Sequence, residues 1–409
     1  MRPQVLQRQA DEALHIVRSI SAAVAEGRAA DQELAAHFRT HRHFGSRDRR
    51  FFSAVIFAYF RWKGWVDAIA ELPQALAAAC WLSREAHHPP LACWAQLPAE
   101  LPSTATLTDK AAALAAWQTL SRAPTPSELF PVWFSEEVLS GAEPESAARI
   151  AASFQERPPL WLRARVGHTP TISRLLNAAG FACTPDPRIP TAIRVEGSPS
   201  AEALRPILHR HAEIQDIASQ LVGTTCAPRA GEQWWDVCAG AGGKTLHLLD
   251  LLGDSGFVCS SDVRSSALRE LTRRIHAANF TRVATQVLSE NPENWQIAEQ
   301  FDGILIDAPC SGIGTWGRAP DARWRVARED LLTHQSRQLA ILNRASRQLK
   351  AGGRLIYAVC SLSQLETEQV IATFLKQSPD FSLNDAAPRA IYPDFGPGIG
   401  MWIASLRKT

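Results

Sequence analysis

The C-terminal half of this chain reads as an α/β domain with a doubly wound, mostly parallel sheet. It is preceded by a small α/β subdomain and an all-helical N-terminal region. Three observations predict this arrangement. From about residue 211, apolar runs of strand length alternate with helical segments, as parallel strands joined by crossover helices require. Between about 146 and 210 two strand-like runs flank a short helical pattern. Before that, Ala, Leu and Trp recur at helical spacing and β-branched runs are scarce. The expected domains are therefore 1–145, 146–210 and 211–409.

The helical region has its most basic stretch from Arg39 to Lys63, where Arg42, Arg47, Arg49, Arg50 and Arg61 stand among aromatic residues. That mixture suits phosphate contact and base stacking. Phe51, Phe52, Phe57 and Phe60 are assigned to the core face of the same helix. Residues 72–131, rich in Pro and Ala, are expected to form an irregular helical linker. His87, His88, Cys80 and Cys93 lie there, but their spacing matches no zinc pattern, and no metal site is expected. The small subdomain follows: PPLWLRARV as a strand, TISRLLNAAGF as a helix closed by Gly180, and AIRVEG as a strand. The last domain places strands at QWWDVCAG, GFVCSSDV, VATQVL, FDGILIDAP and GRLIYAVCS, with helices notably at 265–278 and 328–350.

Bulk properties narrow the function classes. A length of 409 residues predicts more than one domain. No run of 18 uncharged apolar residues occurs, so no membrane span is expected. The first residues have no apolar h-region and do not read as a signal peptide. Eight cysteines without CxxC pairing argue against a disulfide framework and for a reducing cytosol. Net charge is only +2, but 37 of the 43 basic residues are Arg, whose planar fork matches phosphates and stacks on bases.

The chemistry-bearing residues fall at strand ends, where open α/β sheets bind ligands. DVCAGAGGKT, from Asp236 to Thr245, follows a strand and opens a helix. Its glycines Gly240, Gly242 and Gly243 allow a tight turn and close approach to a ligand. It is neither a phosphate-binding Walker loop nor a clean GxGxxG. Asp262, at the end of the next strand, suits a ribose diol when coupled to that loop. DAPCSG places Asp307 and Cys310 together at a third strand end, and Cys360 closes a fourth. Two cysteines on the ligand edge, one beside a carboxylate, point to thiol chemistry rather than to core filling.

Together these motifs resemble the Nop/Sun (RsmB-like) family of RNA cytosine-5 methyltransferases over nearly the whole chain. DVCAGAGGKT resembles the family's cofactor loop, DAPCSG its motif IV and AVCSL its motif VI. HAEIQDIASQLV resembles the segment leading into the catalytic domain. APDARW is similar to an RNA-contacting stretch, and FGSRDRRFFSAVIFAYFRW to an N-terminal NusB-like domain. The chain departs from the pattern at Ala241 (usually Pro), at Val359 (usually Thr), at Ser289 and Glu290 where an adenine-side acid is usual, and in SQLETEQ and GIGMW.

The resemblance implies a Rossmann-like class I methyltransferase domain, an RRM-like subdomain and a NusB-like helical domain. It implies S-adenosylmethionine as cofactor, held by Cys238, Ala239, Gly240, Ala241, Gly242, Gly243, Lys244, Asp262 and Asp307. Cys360 is then the nucleophile toward cytosine carbon 6, Cys310 assists loss of the carbon-5 proton and enzyme release, and Asp307 bonds the ring edge. A neighbouring cation, Lys244 or an Arg, is able to raise the thiolate fraction. Arg323, Arg47, Arg49 and Arg50 are the expected RNA contacts. Ribosomal RNA is the expected substrate, with transfer RNA open, and a cytoplasmic monomer is expected. A catalytically silent RNA-binding or ribosome-assembly factor and a DNA cytosine methyltransferase are the competing readings; the second cysteine at motif VI argues against DNA.

Overall fold

The computed structural model describes residues 3–140, 143–197, 199–208, 211–384, 390–391 and 398–409. The chain divides into two compact units, one of Met1–Arg157 with Thr315–Arg328, the other of Pro158–Gly314 with Glu329–Thr409. The domain boundary expected at 210 falls on His209 and Arg210, outside the described residues.

The first unit is helical: α1 (Pro3–Ala25), α2 (Ala30–Thr40), α3 (Ser46–Val66), α4 (Leu72–Leu82), α5 (Leu107–Gln118) and α6 (Pro144–Ser153). α1 buries Ala10, Ala13, Ile16, Val17, Ile20, Ala23 and Val24, one stripe at helical spacing. α3 begins where the Asp48 carboxylate accepts the Gly45 N–H at 2.9 Å. Phe51, Phe52 and Phe60 are buried as expected, whereas Phe57 is half-buried. Arg47, Arg49 and Arg50 stand exposed on its first turns. α4 corrects the reading of its segment as linker. Ala75 through Leu82 are all buried, because a helix apolar on every side must be enclosed.

Thr315–Arg328 belongs to this unit. The Trp316 ring packs with Phe134 at 5.4 Å and Phe154 at 6.1 Å. Arg323 is fully buried, and its guanidinium donates to the carbonyl oxygens of Leu129 and Phe154, each at 3.1 Å, and of Arg61 at 3.3 Å. This corrects the assignment of Arg323 as an RNA contact. Its donors face main-chain acceptors inside the unit, and a buried carbonyl needs such a partner.

The second unit opens with β1 (Leu160–Ala164), α7 (Thr169–Ala178), β2 (Cys183–Pro185), β3 (Ala192–Val195), α8 (Ala201–Leu208) and β4 (Ala212–Ile214). These form an antiparallel sheet in the order β2-β3-β1-β4. β2 and β4, three residues each, are too short for any periodicity to announce them. Then follow α9 (Ile217–Cys226), β5 (Gln233–Asp236), α10 (Gly243–Leu252), β6 (Phe257–Asp262), α11 (Ser265–Ala278), β7 (Val283–Val287), β8 (Phe301–Asp307), α12 (Arg328–Ala345), β9 (Leu349–Val359), α13 (Glu368–Gln377), β10 (Phe381–Leu383), β11 (Ala390–Ile391) and β12 (Met401–Lys408).

The large sheet runs β10-β12-β9-β8-β5-β6-β7, with β11 paired to β12. β7 through β9 are parallel; β12 and β10 are antiparallel. Alternation along the central strands covers both faces. Trp235, Ile304, Ile306, Leu355 and Tyr357 pack with Ile341 and Leu342 of α12 and Phe374 of α13. Their neighbours Trp234, Leu305, Ile356 and Ala358 pack with Val222 of α9 and Leu248 of α10. A sheet buried on both faces gives the continuous apolar runs seen in the sequence. The helix expected through residue 350 ends at Ala345, since Leu349 already pairs with Phe301. β12 was not anticipated; it pairs antiparallel to β9 from Trp402 to Arg407.

Candidate active site

β5 is flanked by β6 on one side and β8 on the other, so the chain leaves these neighbouring strands in opposite directions. That switch point opens a crevice at their carboxyl ends. The loop after β5 turns there with Gly240 at φ +56 and Gly242 at φ +87, a region L side chains avoid. The Gly240 N–H donates to Asp262 Oδ2 at 2.9 Å, so the acid ending β6 braces the loop. Burial works against the Asp262 charge, but Arg264 and the Gly240 N–H prevail and hold its carboxyl below the ordinary range.

Asp236, the last residue of β5, is fully buried. Its Oδ2 accepts from Thr245 Oγ1 at 2.7 Å, and its Oδ1 has no hydrogen-bond partner among the described residues. Burial, against the Thr245 bond, pushes its carboxyl up to about 7. Beside it, Lys244 Nζ donates to Asp307 Oδ2 at 2.6 Å. Burial opposes the Lys244 charge, yet Asp307 prevails and raises it, so the lysine stays a cation.

The two cysteines meet although 50 residues separate them. Cys310 Sγ lies 3.3 Å from Cys360 Sγ, because β8 and β9 are adjacent and parallel and each thiol lies just past its strand's carboxyl end. The contact with Cys360, then burial, raises the Cys310 thiol well above its usual range. The Cys238 thiol is also pushed up by burial, which suits a wall residue rather than a nucleophile.

A cavity of about 290 Å³ is lined by Asp236, Cys238, Ala239, Gly243, Lys244 and Asp307, with Ile214, Gln215, Asp216, Ser219 and Ile399. Gly240, Ala241, Gly242 and Asp262 form the adjoining loop and its brace rather than the lining. Gln215, Asp216, Ser219 and Ile399 reach this lining from HAEIQDIASQLV and GIGMW, segments whose resemblance carries no side-chain role. Gln215 accepts from Arg163 Nε of β1 at 2.6 Å. Asp216 Oδ1 caps α9 through the Ala218 N–H at 3.0 Å and takes the Ile399 N–H at 3.1 Å. Ser289 and Glu290, beyond β7, are exposed. In the helical unit, Glu85, His87 and His88 bring their ligand-type atoms within 4.8 Å of one another. Glu85 already lies 3.3 Å from His88, and Cys80 and Cys93 do not join them.

Residues 223–393 match the family model for the 16S rRNA methyltransferase RsmB/F. A Vibrio cholerae protein named ribosomal RNA small subunit methyltransferase B is 32% identical over 284 residues, which is 68% of this chain and 65% of that protein. This chain is an RsmB-like member of the Nop/Sun family. A relative of the same name from Salmonella paratyphi B is 34% identical over 63% of the RsmB-like chain and 60% of its own length. The match thus spans less than two thirds of these relatives. The solved structure of PH0851 has the same fold across 96% of the RsmB-like chain and 98% of its own (TM-score 0.72, 22% identity). A methyltransferase homolog protein from Pyrococcus horikoshii aligns with 65% of the chain and 91% of its own (TM-score 0.57, 26% identity). The RsmB-like fold is therefore a Rossmann-like class I methyltransferase domain with a small α/β subdomain and a helical NusB-like N-terminal region.

Proposed function

We propose that this chain transfers a methyl group from S-adenosylmethionine to carbon 5 of a cytosine in small-subunit ribosomal RNA, acting as a cytoplasmic monomer. The observation that carries the reading is the thiol pair, 3.3 Å apart beside the Lys244–Asp307 ion pair. A structural role for the cysteines would need neither the partner thiol nor the cation. The helical unit, Met1–Arg157 with Thr315–Arg328, serves RNA docking, and the other unit carries the small sheet and the catalytic sheet. Arg47, Arg49 and Arg50 are the phosphate contacts.

The cavity fits a ligand that carries a cation or a donor, because the partly exposed Asp307 carboxylate lines it. Asp236, Cys238, Ala239, Gly243 and Lys244, with Gly240, Ala241 and Gly242 in the turn, would hold the cofactor. Asp262 takes its ribose hydroxyls, each carboxylate oxygen having a second lone pair. When bound, the cofactor supplies an electrophilic methyl on a sulfonium.

The protein's own groups then do the following. Cys360 adds as thiolate to cytosine carbon 6, which gives carbon 5 the character of an enamine. Lys244 favours that thiolate by its charge; a free cysteine is only a few per cent ionised near neutral pH. Asp307, held by Lys244, accepts from the exocyclic amino group of the base. Cys310 donates its S–H to the Cys360 sulfur. At release the Cys360 sulfur takes that proton as its bond to carbon 6 breaks, and Cys310 takes the carbon-5 proton.

Transfer of labelled methyl to ribosomal and transfer RNA tests this. We expect label on cytosine carbon 5, lost in Cys360→Ala, and an RNA–protein adduct that accumulates in Cys310→Ala. Label on transfer RNA alone would move the substrate. No transfer by a folded, cofactor-binding protein would replace the reading with a silent assembly role.

A further inference from the structure

Next to the thiol pair lies a second, largely buried cluster. Glu366, on the short turn Gln364–Glu366 after β9, is 0% exposed. Its Oε1 accepts from the Ser311 main-chain N–H at 2.8 Å and from Gln338 Nε2 at 3.2 Å. Its Oε2 accepts from Ser361 Oγ at 2.6 Å and from the Ser311 hydroxyl. Ser311 follows Cys310 in the chain, and Ser361 follows Cys360. The two hydroxyls lie 3.3 Å apart, the same separation as the two sulfurs. Gln338 also donates to the carbonyl of Pro309, the residue before Cys310, at 3.0 Å. Tyr357 of β9 anchors the turn from the other side, its hydroxyl donating to the Glu366 carbonyl at 2.7 Å.

A buried carboxylate is costly unless its lone pairs are met. Here three of the four donors sit on the residues that follow the two cysteines, and the fourth comes from a side chain that also holds Pro309. The sheet alone fixes where β8 and β9 end; it does not fix the loops beyond them. We propose that Glu366 is a positioning residue that ties the Cys310 and Cys360 loops together and sets the distance between their sulfurs. It touches neither sulfur. The role rests on the two-cysteine reading given above, but its geometry can be tested without RNA or cofactor. The carboxylate's charge also contributes to keeping the proton on Cys310.

Phenylarsine oxide reads the spacing directly. Two thiols a few ångströms apart each give up a proton, two As–S bonds form, and the arsenic-bound oxygen leaves as water. We expect the full chain to take up one equivalent bridging Cys310 and Cys360, identified by mass spectrometry, and to lose that uptake in Cys310→Ala and in Cys360→Ala. Glu366→Gln should weaken it at least tenfold. The same variant should lower kcat for methyl transfer at least tenfold while KM for RNA stays within twofold, and Glu366→Asp, which keeps the charge but shortens the reach, should recover part of both. The double variant Ser311→Ala/Ser361→Ala removes the two hydroxyls and keeps the carboxylate, so it serves if Glu366→Gln does not fold; it should weaken the arsenical at least threefold. Wild-type uptake by Glu366→Gln, or by the double variant where that must stand in, would overturn the proposal, as would failure of the unaltered chain to bridge. Normal bridging in a chain that methylates no RNA would instead leave the spacing role intact and sink the catalytic reading.

Discussion

Asp236 carries an electrostatic load that its neighbours only partly relieve. Burial pushes its carboxyl up to about 7, against the Thr245 hydrogen bond, whereas an unfolded aspartate titrates near 4. An acid with a raised folded value binds its proton more tightly in the folded state. Its contribution to stability is complete below about pH 4 and is lost as pH rises toward 7. Asp236→Asn removes the titration but keeps the shape. Denaturant unfolding from pH 5 to pH 8 should show wild type losing stability relative to the variant up to about pH 7, then running parallel to it. Parallel behaviour throughout would mean that water or a rearranged Lys244 already relieves the burial. Cys310 is shifted by a different route, through its sulfur partner first and burial second. A titration of the two thiols therefore reports the pair rather than either residue alone.

The cofactor loop shows how one turn couples two elements. Gly242 heads α10 at φ +87, and a Cβ there would stand 2.1 Å from Leu271 Cδ1 on α11. Leu271 is fully buried, and its Cγ and Cβ also lie within 3.3 Å of that position. Gly240 has φ +56, but a Cβ there would meet nothing nearer than Arg264 Nη2 at 3.7 Å. Gly240→Ala should therefore cost only backbone strain, about 1–2 kcal/mol. Gly242→Ala adds overpacking and should cost about 2–5 kcal/mol in all. Chemical denaturation of the two variants separates these terms. Equal losses would show that α11 yields to the methyl group and that the turn, not the packing, demands the second glycine.

At the scale of the molecule, Thr315–Arg328 belongs to the helical unit although the chain on both sides of it belongs to the other. Arg323 secures that return. Its guanidinium meets carbonyl oxygens from α3, from the turn at Leu129 and from the end of α6, and burial lowers it to about 9. Arg323→Leu removes the donors that the Leu129 and Phe154 carbonyls receive from it, and we expect a loss of about 3–5 kcal/mol confined to the helical unit. Hydrogen exchange should show lost protection in α3 and α6 with β5, β8 and β9 unchanged. Loss of RNA affinity with unaltered protection would overturn the structural role and return this residue to the RNA-contacting surface.

The sequence by itself determined the alternation of strand and helix, the parallel centre of the sheet, and the placing of Asp262, Asp307, Cys310 and Cys360 at strand ends. These follow from periodicities of two and about 3.6 residues, which are local and written in the chain. The sequence also marked HAEIQDIASQLV and GIGMW without revealing what Gln215, Asp216 and Ile399 do, because a resemblance of segments carries no direction for a side chain. Only the tertiary structure decided which groups meet. The sulfur pair, the Lys244–Asp307 contact and the Glu366 cluster join residues 50, 63 and 55 positions apart, and such pairings depend on which strands lie side by side. The same holds for Arg323. A basic residue in an exposed-looking stretch is indistinguishable in sequence from one whose guanidinium donates to main-chain carbonyls inside a core, since what separates them is the set of carbonyls brought from elsewhere in the chain.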